Sequence, residues 1–428
     1  MGAILRGMLG LSLVRPLEDD WRDTLDGVAR RRGWPTSREV AKLAARVTGL
    51  SAAYNDPSVA RAVVKDAGAA RLGFAFARDV PKGAAAAREL VATGALGLGS
   101  APLRVLDVGA GLGATTWGLL RALEARDRRG QAMSALAQAG PRIVEATWLD
   151  PDAHALKLAE EVVREREGAQ CNGVELRVTT VVRPLSPVGG LDGMGRFDVV
   201  LVGHVLSEMD VGDPADARVD RHAALLGGLL DHVTREHGSV VVVEPALRDR
   251  TRHLHRVRDV MASRGATVFA PCMHSGPCPA LARETDWCHE DLPVDLPGWL
   301  VPIARAAGLR REGLTFSYLV LRKDGVRLAD SLAAPPGAVR LRVVSELIRT
   351  KGKRDAFVCG ELSAADDGLP VAARVRATRL DRSASDGNAS WAELGRGDLL
   401  VVDPSPGSVK PRIDASSQVT RLNHTESR

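Results

Sequence analysis

The stretch Arg104-Val-Leu-Asp-Val-Gly-Ala-Gly-Leu-Gly-Ala-Thr-Thr-Trp-Gly118 decides the fold. Val105 to Val108 is apolar apart from Asp107 and reads as a short buried strand. Gly109, Gly111 and Gly113 form a tight turn, and Ala114 opens a helix. A strand entering a glycine turn that opens a helix outlines a nucleotide site. Glycine admits a ligand where a Cβ would collide, and the first helical turn leaves N–H donors unpaired. An ordinary strand-to-helix turn could carry the same glycines, so the neighbouring segments must decide.

Working outward, further strands are expected at Ile143–Leu149, Val174–Val182, Phe197–Val202 and Ser239–Val243, with helical segments such as Pro151–Arg166 and Ala215–Glu236 between them. This alternation predicts an α/β, Rossmann-like doubly wound sheet with right-handed crossovers. Thr267–Ala270 and Leu314–Lys323 read as the sixth and seventh strands, separated by an insertion over 271–313. Residues 1–95 read as an N-terminal helical region, with apolar residues at helical spacing in Trp21–Arg31, Ser37–Thr48, Pro57–Gly68 and Lys82–Ala92. Asp56-Pro57 and Pro81 look like helix starts. The core domain is expected over 96–330. After the linker Ala333-Ala-Pro-Pro-Gly337, residues 338–403 alternate as a small β domain, and 404–428 read as a disordered tail.

Composition bounds the function. The 428 residues are 45% hydrophobic and 26% charged, as in ordinary globular proteins. The net charge of +5 permits an RNA partner without demanding one. No apolar run approaches a membrane span, and the apolar start Gly7–Val14 lacks a small-residue cleavage site and reads as the first turns of a helix. Five cysteines in a chain this long are not a secreted disulfide scaffold, so a reducing, cytoplasmic setting is expected.

The glycine turn has the form D-x-G-x-G-x-G and resembles the first motif of class I S-adenosylmethionine-dependent methyltransferases. That resemblance implies that the turn packs against the methionine and ribose part of the cofactor. Asp107, Gly109, Gly111 and Gly113 are the first candidates. Asp150 ends the second strand, where an acid can accept from ribose hydroxyls; as an alternative it caps the next helix ahead of Pro151. His204 ends the fourth strand and so faces the ligand side, or else makes structural hydrogen bonds at a helix start. Glu208 reads as a helix-surface residue. No Asn/Asp-Pro-Pro-Tyr/Phe element follows the fourth strand, and no cysteine ends the fourth or fifth strand. The sequence therefore names no catalytic base.

The insertion holds Cys272, Cys278 and Cys288, spaced C-x5-C-x9-C, three of the chain's five cysteines within seventeen residues. Thiolates bind iron–sulfur clusters or zinc. Structural zinc favours closer pairs, whereas wide spacing beside a Cys-Pro element fits a cluster better; His274 and His289 keep zinc open. No C-x3-C-x2-C radical-enzyme motif is present. A fourth ligand is needed, and Cys171 and Cys359 are the candidates. Cys359 lies in Ala356-Phe-Val-Cys-Gly360, a strand ending in a glycine that can present a thiolate; sheet geometry alone does not exclude Cys171.

Taken together, the motifs resemble the Rsm-type small-ribosomal-subunit family, the methyltransferase-like proteins of mitochondria and their bacterial relatives. The resemblance rests on Val105–Gly113, Asp198–Glu208, Val243-Glu-Pro245, Pro271–Pro279 with Asp286-Trp-Cys-His289, Phe316–Arg322, Arg342–Ser345, Lys351–Gly360 and Gly397-Asp398. Met273 stands where the family pattern has proline. The resemblance implies a class I fold, S-adenosylmethionine, a [4Fe–4S] cluster on Cys272, Cys278, Cys288 and Cys359 (zinc as the alternative), and action on the small ribosomal subunit or its rRNA. It implies a cytoplasmic protein in a bacterium and a mitochondrial one in a eukaryote. A non-catalytic assembly factor or a cluster-dependent sensor would keep the same parts. Arg340, Arg342, Arg349, Lys351, Lys353 and Arg354 form a basic run that would suit RNA phosphates.

Overall fold

The computed structural model describes residues 14–55, 67–96, 101–133, 143–166, 170–171, 174–185, 191, 193–363, 370–406 and 411–422. The apolar start at 7–13 and most of the expected helix at 57–68 lie outside these residues. The N-terminal region is helical: α1 (Asp19–Arg31), α2 (Val40–Asn55), and α3 (Gly68–Ala70), which runs through a π turn at Arg71–Ala75 into α4 (Phe76–Thr93). Helix α1 carries acids in its first turn and arginines in its last, matching the helix dipole. Ser37 does not open α2; its N–H and hydroxyl both donate to Asp26, at 2.7 Å each. Pro81 does not start a helix either. It lies inside α4, where the buried Val80, Ala84 and Ala87 supply packing that offsets the lost N–H bond.

The central sheet contains β1 (Leu103–Val108), β2 (Ile143–Asp150), β3 (Gln170–Cys171), β4 (Val174–Val182), β5 (Phe197–Gly203), β6 (Thr234–Glu244), β7 (Thr267–Ala270), β8 (Glu290–Leu292) and β9 (Leu314–Arg322). Its order is β3-β4-β2-β1-β5-β6-β9-β7, with β8 added to β9. Strands β4, β2, β1, β5 and β6 are parallel, whereas β9 is antiparallel between β6 and β7. The strand order reverses between β1 and β5, the switch point where open α/β sheets bind ligands. Alternate residues of β1 enter different cores. Val105 joins the core shared with α4 and α5 (Ala114–Met133), while Leu106 joins that of α7 (Ala215–Gly228) and α8 (Arg248–Ser263). The predicted helix at 215–236 stops sooner than expected, passing through a π turn at Leu229–Val233 into β6. Helix α6 (Ala153–Glu165) connects β2 to β3, and the short α9 (Val301–Ala306) lies in the insertion.

The C-terminal unit is a seven-stranded sheet: β10 (Val339–Val343), β11 (Ile348–Thr350), β12 (Lys353–Ser363), β13 (Pro370–Leu380), β14 (Leu399–Asp403), β15 (Arg412–Ile413) and β16 (Gln418–Arg421). Its core includes Leu341, Val358, Trp391, Leu400 and Val419. The tail expected to be disordered supplies two of these strands. β16 pairs with β14 and buries Val419, and β15 pairs with β13 and buries Ile413. A polar run with one apolar residue per two-residue period is enough to cover an open sheet edge.

A buried ionic network joins this unit to the rest. Arg342 of β10 donates to Glu89 of α4 at 2.5 Å, to Glu290 of β8 at 3.3 Å and to the carbonyl of Pro271 at 2.7 Å. Arg88 donates to Glu290 at 3.1 Å, and the Tyr318 hydroxyl donates to Glu89 at 2.7 Å. All five side chains are buried. Burial alone would raise the Glu290 carboxyl, but Arg88 and Arg342 hold it below its usual value. The stabilisation it gives is therefore present at neutral pH and is lost as pH falls through the folded pKa. Arg342→Met would leave Glu89 and Glu290 under-compensated, and should cost about 3–5 kcal/mol in denaturant unfolding. A loss below about 1 kcal/mol would show that the network contributes little to stability.

Candidate cofactor and cysteine sites

The glycine turn sits at the carboxyl end of β1. Gly109 and Ala110 donate to the Leu149 carbonyl at 2.8 and 3.2 Å, holding the turn against β2. Gly109, Gly111 and Gly113 all have positive φ, at 67°, 52° and 76°. Their surroundings differ. A Cβ on Gly109 would meet Val205 at 2.5 Å, and one on Gly113 would meet Trp148 at 2.4 Å, whereas one on Gly111 would point into open space. Two glycines thus serve packing and one leaves room for a ligand.

The acids divide similarly. Asp107 Oδ2 accepts from the Thr116 N–H and hydroxyl at 3.2 and 2.6 Å, tying β1 to the first turn of α5. Burial pushes Asp107 up to about 7, and its Oδ1 has no partner. Asp150 does not cap α6; Asp152 does, accepting from the N–H groups of His154 and Ala155. Asp150 instead accepts from Gly111 N at 2.9 Å and Asp152 N at 2.8 Å. It therefore stands directly beside the one open glycine.

His204 follows β5 with a left-handed φ of 61° and donates its N–H to Val243 at 2.7 Å. Glu244, at the end of β6, accepts from the N–H groups of Leu206 and Ser207 at 2.9 and 3.1 Å and so holds the turn after His204. Burial pushes Glu244 up to about 7. Glu208 lies in this turn rather than on a helix; its side chain bonds to Tyr54 of α2, and the charges of Arg71 and Arg250 act on it. Helix α4 covers the same end of the sheet: a Cβ on Gly83 would meet the Thr115 carbonyl at 2.9 Å, and one on Gly118 would meet the Val80 carbonyl at 2.5 Å. That close approach places Asp79 and Lys82 over the site. No local motif marks these two residues, because their chemistry depends on a helix–helix contact.

The four cysteines Cys272, Cys278, Cys288 and Cys359 line one pocket of about 670 Å³, partly open to solvent, together with His255, Arg258, His274, His289 and Arg374. Cys359 comes from β12, where it pairs with Arg342 on β10 and Arg374 on β13. Cys171 belongs to β3, seven strand spacings from β7 across the sheet, or about 34 Å. Cys278 N donates to Asp259 at 3.0 Å and Cys288 N donates to His255 Nε2 at 3.2 Å. Arg258 braces the loop through the carbonyls of Gly276 and His274. Burial would raise the Cys272 thiol, but Arg258 and His274 bring it to about 7; burial, the Cys272 thiolate and the Glu290 carboxylate push Cys288 up to about 11. Among the described residues, no three Cys, His, Asp or Glu side chains lie close enough to hold a single metal ion. No helix among them is long and apolar enough to cross a membrane.

The basic run is not one solvated face. Arg342 is interior, Arg340 donates to the Leu332 carbonyl, and Arg354 and Lys353 pair with Asp381 and Asp355. Arg349 and Lys351 are exposed. Strand alternation turns neighbouring cations to opposite faces, which a count along the sequence does not register.

Among solved structures, the chain is similar to NSun6 from Pyrococcus horikoshii (14% identity, 55% of this chain and 52% of that one, TM-score 0.32). It is also similar to a precorrin-6y C5,15-methyltransferase from Geobacter metallireducens (15%, 55% and 85%, TM-score 0.26) and to a loganic acid methyltransferase (11%, 57% and 94%, TM-score 0.34). No curated protein matches the chain. The family described as mitochondrial small ribosomal subunit Rsm22 matches over residues 99–369. That stretch is more than half of the 428 residues, and the chain belongs to the Rsm22 family.

Proposed function

We propose that the protein is an S-adenosylmethionine-dependent methyltransferase acting on the RNA of the small ribosomal subunit, with a [4Fe–4S] cluster on Cys272, Cys278, Cys288 and Cys359. The observation that carries the methyltransferase reading is the open space at Gly111 beside Asp150, at the switch point of the sheet. Gly109, Gly111 and Gly113 shape the cradle. Asp150 is placed to accept from ribose hydroxyls, and Asp107 anchors the helix whose first turn faces the ligand. Family membership supports the ribosomal partner.

The donor set supports the cluster. Four thiols converge on one pocket, which Glu290 also lines while held by Arg88 and Arg342, and ionised thiolates there repel one another. A cationic centre removes that repulsion. When bound, the cluster supplies a covalent tie between the insertion and the β domain, making its assembly part of folding.

Gly111→Val should abolish binding of S-adenosylhomocysteine in calorimetry. A branched residue at positive φ adds turn strain of about 1–2 kcal/mol, so thermal unfolding should show a lowered but cooperative transition. Asp150→Asn should weaken the same affinity. Unchanged binding in both would remove the cofactor site from this turn.

After anaerobic purification, Cys359→Ser should lose visible absorbance, iron and sulfide, and should expose the β domain to proteolysis. Cys171→Ser should keep all three. The reverse pattern would overturn the ligand assignment, and zinc at one equivalent without sulfide would replace the cluster.

A further inference from the structure

One group at the carboxyl end of the sheet remains unexplained by cofactor binding. His204 Nε2 is buried without a hydrogen-bond partner and lies 3.7 Å from Asp79 Oδ1. Asp79 in turn accepts from Lys82 Nζ at 2.7 Å. Lys82 is buried and Asp79 is half-buried, so an amine and a carboxylate one helical turn apart are largely withdrawn from water. Three polar groups in a row, on two elements brought together only by tertiary packing, are expensive to bury.

Their position is specific. His204 follows Gly203, whose added Cβ would meet Thr115 Oγ1 at 2.3 Å, and precedes Val205, which packs on Gly109. The imidazole is thus fixed beside the glycine turn. It is held in a left-handed backbone conformation that is costly for a residue other than glycine, with the following turn clamped by Glu244. Strain of this kind persists where the surroundings over-determine it.

We propose that His204 is the general base of methyl transfer, with Asp79 and Lys82 as its positioning residues, and that the acceptor is an RNA nucleotide atom bearing an O–H or N–H. This rests on the methyltransferase reading above. Asp79 selects the tautomer with the proton on Nε2, a small side-chain rotation from a hydrogen bond, and leaves Nδ1 unprotonated. Transfer breaks the methyl–sulfur bond, whose electron pair stays on sulfur, and forms the bond from acceptor to methyl. The acceptor's proton moves to Nδ1. The sulfonium charge is thereby replaced by an imidazolium facing Asp79, and a neutral thioether is left. Lys82 keeps Asp79 ionised in a half-buried site. The charged groups facing the imidazole are Asp79, Lys82 and Arg78 from α4 and Arg250 from α8. Burial and the three cations push the imidazole down to about 4, so it is neutral, and able to accept a proton, at physiological pH.

The test uses the full-length chain and two readouts. In ¹⁵N spectra at neutral pH, His204 should be the Nε2–H tautomer, and Asp79→Asn should shift it toward a mixture. In single-turnover reactions with small-subunit precursor RNA, His204→Asn should be slower by about 100-fold or more, with S-adenosylhomocysteine affinity unchanged. Asparagine tolerates the left-handed backbone at this position. Asp79→Asn should slow turnover and move the acid limb of the pH–rate profile to lower pH, because the imidazolium loses its carboxylate. Should that variant fold poorly, Asp79→Asn combined with Lys82→Met removes both charges; turnover should still slow and the tautomer should still become mixed, with a smaller move of the acid limb because losing Lys82 raises the imidazole. Wild-type turnover in His204→Asn, or a tautomer insensitive to Asp79, overturns this inference while leaving the methyltransferase reading in place. Failure of the wild-type protein to bind S-adenosylhomocysteine sinks the methyltransferase reading, and the inference with it.

Discussion

The guanidinium of Arg342 is the contact on which the arrangement of the chain depends. It meets the N-terminal helical region at Glu89, the insertion at Glu290 and Pro271, and the carbonyl of Gly397 in its own β unit. A planar fork with five donors suits this junction, where a lysine would satisfy one direction at a time. Burying such a charge is costly unless it is compensated on every side. The chain meets that condition only when the three segments dock in one relative position. The network thus specifies geometry as much as it adds stability. It also accounts for Gly397, where a Cβ would lie 2.3 Å from Glu290 Oε2.

Helix α4 links this junction to the cofactor end of the sheet. Asp79 and Lys82 stand at His204, and Arg88 and Glu89 stand at the ionic network, about 9–15 Å further along at 1.5 Å per residue. Arg342 also pairs in register with Cys359 and holds the carbonyl before Cys272. The cysteine pocket, through Arg342 and Glu89, and the His204 site are therefore both tied to α4, although they lie far apart in sequence. The alanine-rich stretch Ala84–Ala87 makes this possible, because small side chains let α4 lie close against α5 at Gly83 and Gly118.

The parallel strands were legible because each is a short apolar run bounded by turn residues, and the period-two alternation of Val105 and Leu106 marks a sheet covered on both faces. The glycine turn and Asp150 were legible for the same local reason. The cysteine cluster could be read as three residues and left with two candidates for a fourth, since only the sheet order separates Cys171 from the loop after β7. What could not be read were the tertiary roles. Arg342 looked like one cation in a basic run, Pro81 looked like a helix start, and nothing in the sequence marked Asp79 or Lys82. In each case the deciding fact is which other segment packs against the residue. The tail misled for a different reason: its low apolar content is that of a disordered segment, but an edge strand needs only Val419 and the open edge of β14.

The three glycines of the turn show how a motif divides into separate physical demands. All three have positive φ, so conformation alone would favour glycine at each. At Gly109 the space is taken by Val205, from the strand end that carries His204, and at Gly113 by Trp148, whose indole N–H donates to Thr116 at 2.9 Å. Thr116 in turn donates to Asp107. The outer glycines therefore lock β1, β2, β5 and α5 together, and a side chain at either would separate the elements that make the site. Gly111 contributes nothing to that packing. Its N–H is held by Asp150 and the space above it is open, so a side chain there is excluded by backbone conformation and by whatever must enter, not by the protein's own core.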